Sequence, residues 1–175
     1  MIAGIAQNAG AQGCSLGQTP GSAFPVCGIA DFSQAEVPDC SGRLLPVPCT
    51  DGVPYADLNA YWYSFTCYIP GTLVFSIDPI IQSDDYDWQL FDITGHAASD
   101  VYSNASLYVA SNWSAESGAT GTSANATSFT NCAGFTYPNF SKAPQMQAGH
   151  QYLLMVSHFT AEGQSGYDLN FDAAT

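Results

Sequence analysis

Acidic residues are concentrated in one short stretch of this sequence. Five of the fifteen acids lie between residues 78 and 92, interleaved with aromatic and apolar side chains. Carboxylates this dense repel one another unless a positive group lies between them, and the two basic residues, Arg43 and Lys142, are distant in sequence. The stretch therefore predicts either a calcium site or a solvated turn whose aspartates cap backbone N–H groups. The residues that we call the acidic cluster are Asp78, Asp84, Asp85 and Asp87.

The spacing within the acidic cluster suits a hard cation held by oxygen ligands. Asp85 and Asp87 are two positions apart in a predicted strand, so their side chains project from the same face. Asp84 and Asp78 would close the site from the preceding loop if a hairpin brings Asp78 back. The stretch lacks the central glycine and the terminal glutamate of an EF-hand loop. Magnesium fits less well than calcium, because it tends to keep several of its waters.

A tryptophan beside polar residues gives a second candidate site. Trp113 follows Asn112 and lies near a polar loop, with Tyr108 a few residues before it. Sugar-binding surfaces pair aromatic rings, which stack on apolar sugar faces, with polar side chains that bond the hydroxyl groups. The pattern predicts a carbohydrate site at these three residues. The alternative for Trp113 is packing in the core, which is what we expect for Trp62 and Trp88.

The sequence offers no arrangement typical of an enzyme. His96, His150 and His158 are scattered among a turn, a strand start and a strand end. A nucleophile elbow is missing, and Ser157 and His158 are neighbours on a predicted strand, so they point to opposite faces. The two glutamates lie in predicted loops rather than as a facing pair for glycoside cleavage. We therefore predict a protein without catalytic activity.

Composition restricts the partners of the chain. The formal net charge is −13 at pH 7, and only 10% of the residues are charged. Nucleic acid is excluded as a partner because binding phosphates needs Lys and Arg, and an anionic bilayer is disfavoured for the same reason. The sequence has no long apolar run, so we expect no membrane insertion. A surface built from uncharged polar residues suits an extracellular protein and sugar ligands.

Six cysteines at irregular spacing indicate three disulfides and an oxidising compartment. No Cys-x-x-Cys pair is present, which argues against a zinc knuckle. We expect Cys14–Cys27 and Cys40–Cys49 to staple the first third of the chain and Cys67–Cys132 to join an early strand to a late loop. The sequence leaves the connectivity open, and the alternative is a set of buried free thiols.

Alternation of apolar and polar residues predicts strands over Tyr61–Cys67, Thr72–Asp78, Asp85–Asp92, Gln151–Phe159 and Tyr167–Asp172. Turns rich in Gly and Pro separate them. Several short alternating strands of this kind are typical of an antiparallel sandwich. The sequence therefore predicts an all-β fold, an antiparallel jelly-roll-like β-sandwich with a disulfide-stapled, loop-rich N-terminal region.

The chain reads as one domain of 175 residues. Residues 1–13 are small and apolar and resemble a signal remnant or an N-terminal extension. Residues 14–60 contain four cysteines and six prolines, which predicts irregular structure with short edge strands at most. Residues 61–172 carry the predicted sandwich core within the single domain, 14–175.

Five motifs of the second half carry a family resemblance, namely Trp62–Phe65, Gly71–Phe75, Asp84–Asp92, Ala148–Leu154 and Ser165–Leu169. With them the second half resembles a β-sandwich module of large secreted and cell-surface proteins of Bacteroidetes, which often carry type IX sorting or gliding-motility-associated C-terminal regions. It is also similar to the bacterial pre-peptidase C-terminal domain. The resemblance implies a sandwich that binds, spaces or anchors, and it brings no catalytic residues.

Two functions follow from these observations. The first is a non-catalytic extracellular or cell-surface module that binds a polysaccharide or cell-surface glycan, or mediates adhesion, with calcium stabilising its loops. The second is a structural surface or filament protein whose partners are other copies of itself, joined by strand addition at uncharged strand edges.

Overall fold

Short strands account for most of the regular structure in the computed structural model, which describes residues 14–26, 31–37, 40, 42–159 and 165–172. Three 3-10 helices, Pro20–Ser22, Ala98–Tyr102 and Ala105–Leu107, join them, and the described residues contain no α-helix. The strands are β1 (Phe24–Pro25), β2 (Asp31–Gln34), β3 (Tyr61–Thr66), β4 (Gly71–Thr72), β5 (Val74–Pro79), β6 (Tyr86–Asp92), β7 (Tyr108–Ser114), β8 (Thr120–Ser123), β9 (Thr130–Gly134), β10 (Phe140–Lys142), β11 (Gln145–Met146), β12 (Gln151–His158) and β13 (Tyr167–Asp172).

The strands form two main sheets and one two-stranded ribbon. The six-stranded sheet has the order β1-β3-β12-β6-β7-β9, the five-stranded sheet β10-β8-β5-β13-β2, and the ribbon pairs β11 with β4. The predicted all-β class is confirmed. The strictly antiparallel jelly roll is wrong, because β1 runs parallel to β3, β7 to β9, and β10 to β8.

A crossing of the chain between the sheets explains two of the parallel pairs. From β7 the chain passes to β8 in the other sheet, returns to the first sheet as β9, and crosses again to β10. Parallel neighbours need such a crossover, whereas a tight hairpin produces antiparallel neighbours. The alternation of side chains locates strands but does not reveal which sheet each strand joins.

The main core lies between the two sheets. Trp88 of β6, Leu154 of β12, and Phe75 and Ile77 of β5 are at most 1% exposed and belong to one apolar cluster. The Phe75 and Trp88 rings meet edge to face with centroids 4.9 Å apart. Strands β6 and β12 are at the centre of the six-stranded sheet, and this contact shows that β6 faces β5 across the core.

The outer face of the six-stranded sheet is buried as well. Trp62, Phe91, Leu153 and Met155 are fully buried in a second cluster, which lies on the opposite side of their strands from the first. Strands β6 and β12 are therefore covered on both faces. This double burial explains why β12 is buried at every position after its first residue.

Residues 42–60, which we call the covering segment, close this second cluster. The segment folds back on itself, because the backbone N–H of Leu45 donates to the carbonyl of Tyr55 at 2.9 Å. Leu45 and Tyr55 then pack into the second cluster, together with Val101 and Leu107 from the 3-10 helices. The proline-rich part of the sequence is thus a lid over the sheet, rather than a separate loop-rich lobe.

The disulfides differ from the predicted pairs. Cys14 bonds to Cys40, and Cys49 bonds to Cys132, so the three predicted pairs are wrong. The prediction assumed that the early cysteines staple one another locally. The covering segment instead lies across the sheet and carries Cys49 to β9. Cys67 forms no disulfide with any described residue, and Cys27 lies outside the described residues.

The described part of the chain contains no helix of the length and apolar character that a membrane crossing requires.

Candidate functional site

The start of β6 carries two acids onto the outer face of the six-stranded sheet. Asp87 pairs with Ser157 of β12 in the strand register. Asp85 precedes it by two residues, and its carbonyl accepts the backbone N–H of Phe159 at 3.1 Å. Side chains two apart on a strand share a face, so the prediction that Asp85 and Asp87 project together fits this register.

A pocket of about 350 Å³ lies between this part of the sheet and the covering segment. Its walls are largely apolar, and its polar side chains are concentrated at the β6 and β12 strands. We call it the Asp87 pocket. It is lined by Val53, Pro54, Tyr55, Ala56, Leu58, Asp85, Asp87, Trp113, Ala115, Ala133, Ser157, His158 and Phe159.

Both acids of the pocket hold their protons more tightly than an exposed aspartate does. Burial, and to a smaller degree the charge of Glu116, raises the pKa of Asp85 to about 6. Burial, followed by the charge of Asp85, raises the pKa of Asp87 well above its ordinary value. Oδ1 of Asp85 is buried with no hydrogen-bond partner among the described residues. The pocket therefore favours a bound proton or a cation beside these two groups.

The wall opposite the acids is held by Tyr55. Its ring meets the ring of Trp113 edge to face, with centroids 5.0 Å apart. Its hydroxyl donates to Asp51 and accepts the backbone N–H of Ala133 at 2.9 Å. Burial, followed by the hydrogen bond to Asp51, raises the pKa of Tyr55 to about 12. Together with the Cys49–Cys132 disulfide, these bonds fix the covering segment against β9.

Asp84 is directed away from the Asp87 pocket. Its Oδ2 accepts the backbone N–H of Ser165 at 3.3 Å and also the Ser165 hydroxyl. The same oxygen is 3.6 Å from Nε2 of His158, whose ring packs edge to face on Tyr86 with centroids 4.8 Å apart. This group ties the loop before β13 to the ends of β6 and β12.

Asp78 belongs to the other sheet. Its Oδ2 accepts the Ser76 hydroxyl at 2.8 Å and the Asn170 amide at 3.1 Å. The acidic cluster is thus spread over three environments, and among the described residues no three of its members place ligand atoms within 4.8 Å of one another. The four residues do not form a ready calcium site, and calcium stays a prediction.

One other group has the composition of a metal site. Ligand atoms of Cys49, Asp51 and Cys132 lie within 4.8 Å of one another. Both cysteines are already bonded to each other in the disulfide, and a metal ligates the thiolate form. In the oxidised protein this group is therefore structural.

The three residues predicted to bind sugar lie in different places. Trp113 lines the Asp87 pocket, and it is also a buried member of the second core cluster, 6% exposed, as the alternative of core packing expects. Asn112 is 1% exposed, and its amide donates to the carbonyl of Pro138 at 2.9 Å. The Tyr108 hydroxyl bonds to the Thr130 hydroxyl at 2.5 Å. Of the three, only Trp113 faces the pocket.

Sequence reasoning missed the residues that close the pocket. Val53, Pro54 and Leu58 come from the covering segment, while Ser157 and Phe159 come from the end of β12. The covering segment has no alternation that would mark it as part of a packed layer. The available signal in the sequence was the composition of β6. Asp87, Gln89 and Phe91 share one face of this strand, and a face that includes a phenylalanine is not expected to be solvated along its whole length.

A larger hollow of about 600 Å³ lies beside β1 and β3. Its lining is Pro25, Val26, Ser64, Phe65, Thr66, Tyr68, Ile93, Gln151 and Tyr152. Its described lining contains no carboxylate, histidine or basic side chain. The Asp87 pocket, in contrast, combines two carboxylates with aromatic side chains.

Comparisons with known proteins give one match. No protein-family model matches the chain, and no curated protein matches it. Among solved structures, the surface-associated copper-binding protein CorA, important in copper acquisition by Methylomicrobium album BG8, superposes with a TM-score of 0.47 and 9% identity. The superposition covers 86% of this chain and 96% of that chain. This likeness carries no functional conclusion, and the resemblance to Bacteroidetes surface modules stays a prediction.

Proposed function

We propose that this protein is a non-catalytic extracellular binding module that holds a carbohydrate in the Asp87 pocket. The observation that carries the proposal is that the Trp113 ring and two carboxylates, Asp85 and Asp87, line a single pocket. The extracellular part rests on the two disulfides, Cys14–Cys40 and Cys49–Cys132, which persist in oxidising compartments.

The pocket offers both kinds of contact that a sugar requires. An apolar sugar face packs against the walls formed by Trp113, Pro54 and Leu58, because ring stacking removes apolar C–H surface from water. Carboxylates are strong acceptors for hydroxyl donors, and Asp85 and Asp87 stand on the strand that borders the pocket. A volume of about 350 Å³ is in the range of small-ligand sites and suits the end of a glycan.

The placement of the acids supports binding rather than hydrolysis. Glycosidases place two carboxylates on either side of the bond to be broken. Asp85 and Asp87 are two residues apart on one strand and share its face, so they approach a ligand from the same side. Ser157 is committed elsewhere, because its hydroxyl donates to the carbonyl of Leu58 at 2.6 Å.

The proposal is tested by a glycan array followed by calorimetric titration of the glycans that bind. We expect Trp113→Ala to weaken binding by at least about tenfold, which corresponds to the loss of one stacked aromatic contact, and Trp113→Phe to keep part of the affinity. Phe135→Ala is the matched control, since Phe135 is 76% exposed and outside the pocket. Absence of binding to every glycan, or equal binding by Trp113→Ala, would reject the proposal.

Self-assembly is the second candidate function. Tyr68 and Ile69, adjacent in the turn after β3, are each 84% exposed, and neighbouring apolar side chains this exposed often mark an interaction surface. If they join copies of the chain, light scattering of the wild-type protein shows oligomers that the double variant Tyr68→Ser/Ile69→Ser loses. A wild-type protein that stays monomeric at high concentration would remove this candidate.

Calcium remains a separate proposal for the acidic cluster. Binding would require Asp78 and Asp84 to give up their present hydrogen bonds and to converge with Asp85 and Asp87. A melting experiment decides the question, because an ion that binds the folded state alone raises the melting temperature. An unchanged melting temperature after chelation would contradict calcium binding by the acidic cluster.

A further inference from the structure

Among the described residues, no lysine or arginine side chain lines the Asp87 pocket beside its two acids. Asp87 is 5% exposed, and it lines the pocket together with Asp85, whose Oδ1 is buried without a hydrogen-bond partner among the described residues. A buried carboxylate costs considerable free energy unless it is paired. A ligand that supplies the missing positive charge would offset that cost.

The basic side chains of the chain are used elsewhere. The guanidinium of Arg43 lies 3.6 Å from the centroid of the Tyr102 ring, and the ammonium of Lys142 lies 5.0 Å from that of Phe129. Neither residue lines the pocket. His158 does line it, but its Nε2 is 3.6 Å from the Asp84 carboxylate, on the side of the loop before β13. Any compensating positive charge other than a bound proton must therefore come with the ligand.

The walls restrict which cation fits. Most of the residues that line the pocket are apolar, among them Val53, Pro54 and Leu58, and their side chains give a metal ion no oxygen ligands. Among the described residues, the pocket acids also belong to no group of three close metal-ligating atoms. A cyclic ligand that bears an ammonium group suits this lining better than a metal ion does. The ring of the ligand packs on the apolar wall, while its ammonium group contacts the carboxylates and the face of an aromatic side chain.

Resting on the proposed function, we propose that the saccharide held in the Asp87 pocket carries a free ammonium group, as a deacetylated amino sugar does, and that Asp85 and Asp87 bind this ammonium. A neutral sugar, or one whose amine is acetylated, would bury the same carboxylates without compensating their charge. Saccharides bearing carboxylate or sulfate groups would be repelled by the acids and by the net charge of −13.

Calorimetric titration of the full chain with three tetrasaccharides tests the inference. The probes are a glucosamine tetramer, an N-acetylglucosamine tetramer and a neutral glucose tetramer, and aminocyclohexane serves as an ammonium on a ring without hydroxyls. We expect the glucosamine tetramer to bind at least about tenfold more tightly than the other tetramers, because it alone pairs the buried carboxylates. We expect aminocyclohexane to bind more weakly than the glucosamine tetramer.

Charge-matched variants separate the pocket from the overall negative field. Asp87→Asn and Asp85→Asn should each reduce glucosamine-tetramer affinity by about tenfold or more. Two such variants are used because Asp87 is buried and its replacement can alter folding. Asp168→Asn changes the net charge equally at an exposed position in the other sheet, and it should leave the affinity unchanged.

The outcomes distinguish this inference from the function on which it rests. Equal affinity for the amino and acetylated tetramers would overturn the claim that an ammonium group is recognised, and the carbohydrate-binding function would stand. Equal losses of glucosamine-tetramer affinity in Asp85→Asn, Asp87→Asn and Asp168→Asn would also overturn the inference. The ligand would then be attracted by the net charge of the protein rather than by the pocket acids. If aminocyclohexane binds as tightly as the glucosamine tetramer, the claim that the ligand is a saccharide is overturned, and the claim that the pocket binds an organic cation stands. No binding of any probe overturns the ammonium inference, and the glycan array then decides the carbohydrate function.

Discussion

The pocket acids occupy positions that packing alone would give to apolar residues. Asp87 is 5% exposed on the outer face of β6, and Gln89 and Phe91 follow it on the same face, both fully buried. Burying a carboxyl group without a partner lowers the stability of a fold. Sequences retain such groups mainly where function requires them, so we expect replacement of these acids to stabilise the protein while it weakens binding.

Stability should depend on pH through Asp85. Burial raises its pKa from an ordinary value of 3.8 to about 6, so the folded state binds its proton more tightly than the unfolded chain does. Its stabilising contribution is complete below the unfolded pKa and is lost as the pH rises through about 6. We expect Asp85→Asn to raise the free energy of unfolding at pH 7 by about 1 kcal/mol, allowing for solvent screening of a partly exposed group.

Urea unfolding across this pH range measures the effect. The difference in stability between Asp85→Asn and the wild type should grow as the pH rises from about 4 to about 6, the interval between the unfolded and folded pKa values. Asp168→Asn, at an exposed position, is expected to follow the wild-type curve. A constant difference across the interval would contradict the assignment.

At the residue scale the sequence reveals the direction of side chains better than their burial. Alternation places Asp85 and Asp87 on one face and Tyr86 and Trp88 on the other, and the structure has Trp88 in the core between the sheets. The covering of the acidic face was not predictable, because a proline-rich segment carries no period that marks it as a packed layer. Asn112 was misleading for a related reason: its polar side chain is satisfied internally by Pro138.

Strands β5 and β8 approach each other more closely than ordinary side chains allow. Gly121 of β8 pairs with Ser76, has φ of +150°, and would place an added Cβ 2.2 Å from the carbonyl oxygen of Phe75. We expect Gly121→Ala to lower the free energy of unfolding by about 3 kcal/mol, because it adds both a clash and backbone strain.

Chemical denaturation compares this variant with Gly71→Ala. Gly71 has open space around the position of an added Cβ, so its replacement should change stability by less than about 0.5 kcal/mol. Equal effects of the two substitutions would show that the close approach of β5 and β8 is not what requires glycine.

Among the elements, β12 and β13 were predicted most closely. The strand predicted over Gln151–Phe159 is Gln151–His158, and that over Tyr167–Asp172 has the predicted bounds. The short strands β1, β4 and β11 span two residues each and are too brief for alternation to show. Parallel pairing also escaped prediction, since it depends on which sheet the chain enters after β7.

At the scale of the whole molecule, two disulfides constrain the N-terminal part of the chain. Cys49–Cys132 ties the covering segment to β9, whereas Cys14–Cys40 closes a loop within the N-terminal part. Cys14–Cys40 spans 26 residues and Cys49–Cys132 spans 83. Because a longer loop restricts the unfolded chain more, we expect removal of Cys49–Cys132 by double serine substitution to cost about 4.5 kcal/mol and removal of Cys14–Cys40 about 3.5 kcal/mol.

Denaturant unfolding of the two double variants measures these costs. Loss of Cys49–Cys132 should also weaken ligand binding, because this bond holds the covering segment beside Ala133, a residue of the pocket wall. Loss of Cys14–Cys40 should leave binding close to that of the wild type. The reverse order of effects on binding would contradict the role of the covering segment in forming the pocket.

The central claim is that a saccharide binds in the Asp87 pocket, and the indole N–H signals report on it directly. The chain has three tryptophans, of which Trp113 lines the pocket while Trp62 and Trp88 are 0% exposed in the two cores. In ¹H–¹⁵N spectra recorded during titration with the glucosamine tetramer and the neutral glucose tetramer, we expect saccharide to shift the Trp113 signal and leave the other two in place. Saccharide binding detected by calorimetry with an unmoved Trp113 signal would contradict the claim.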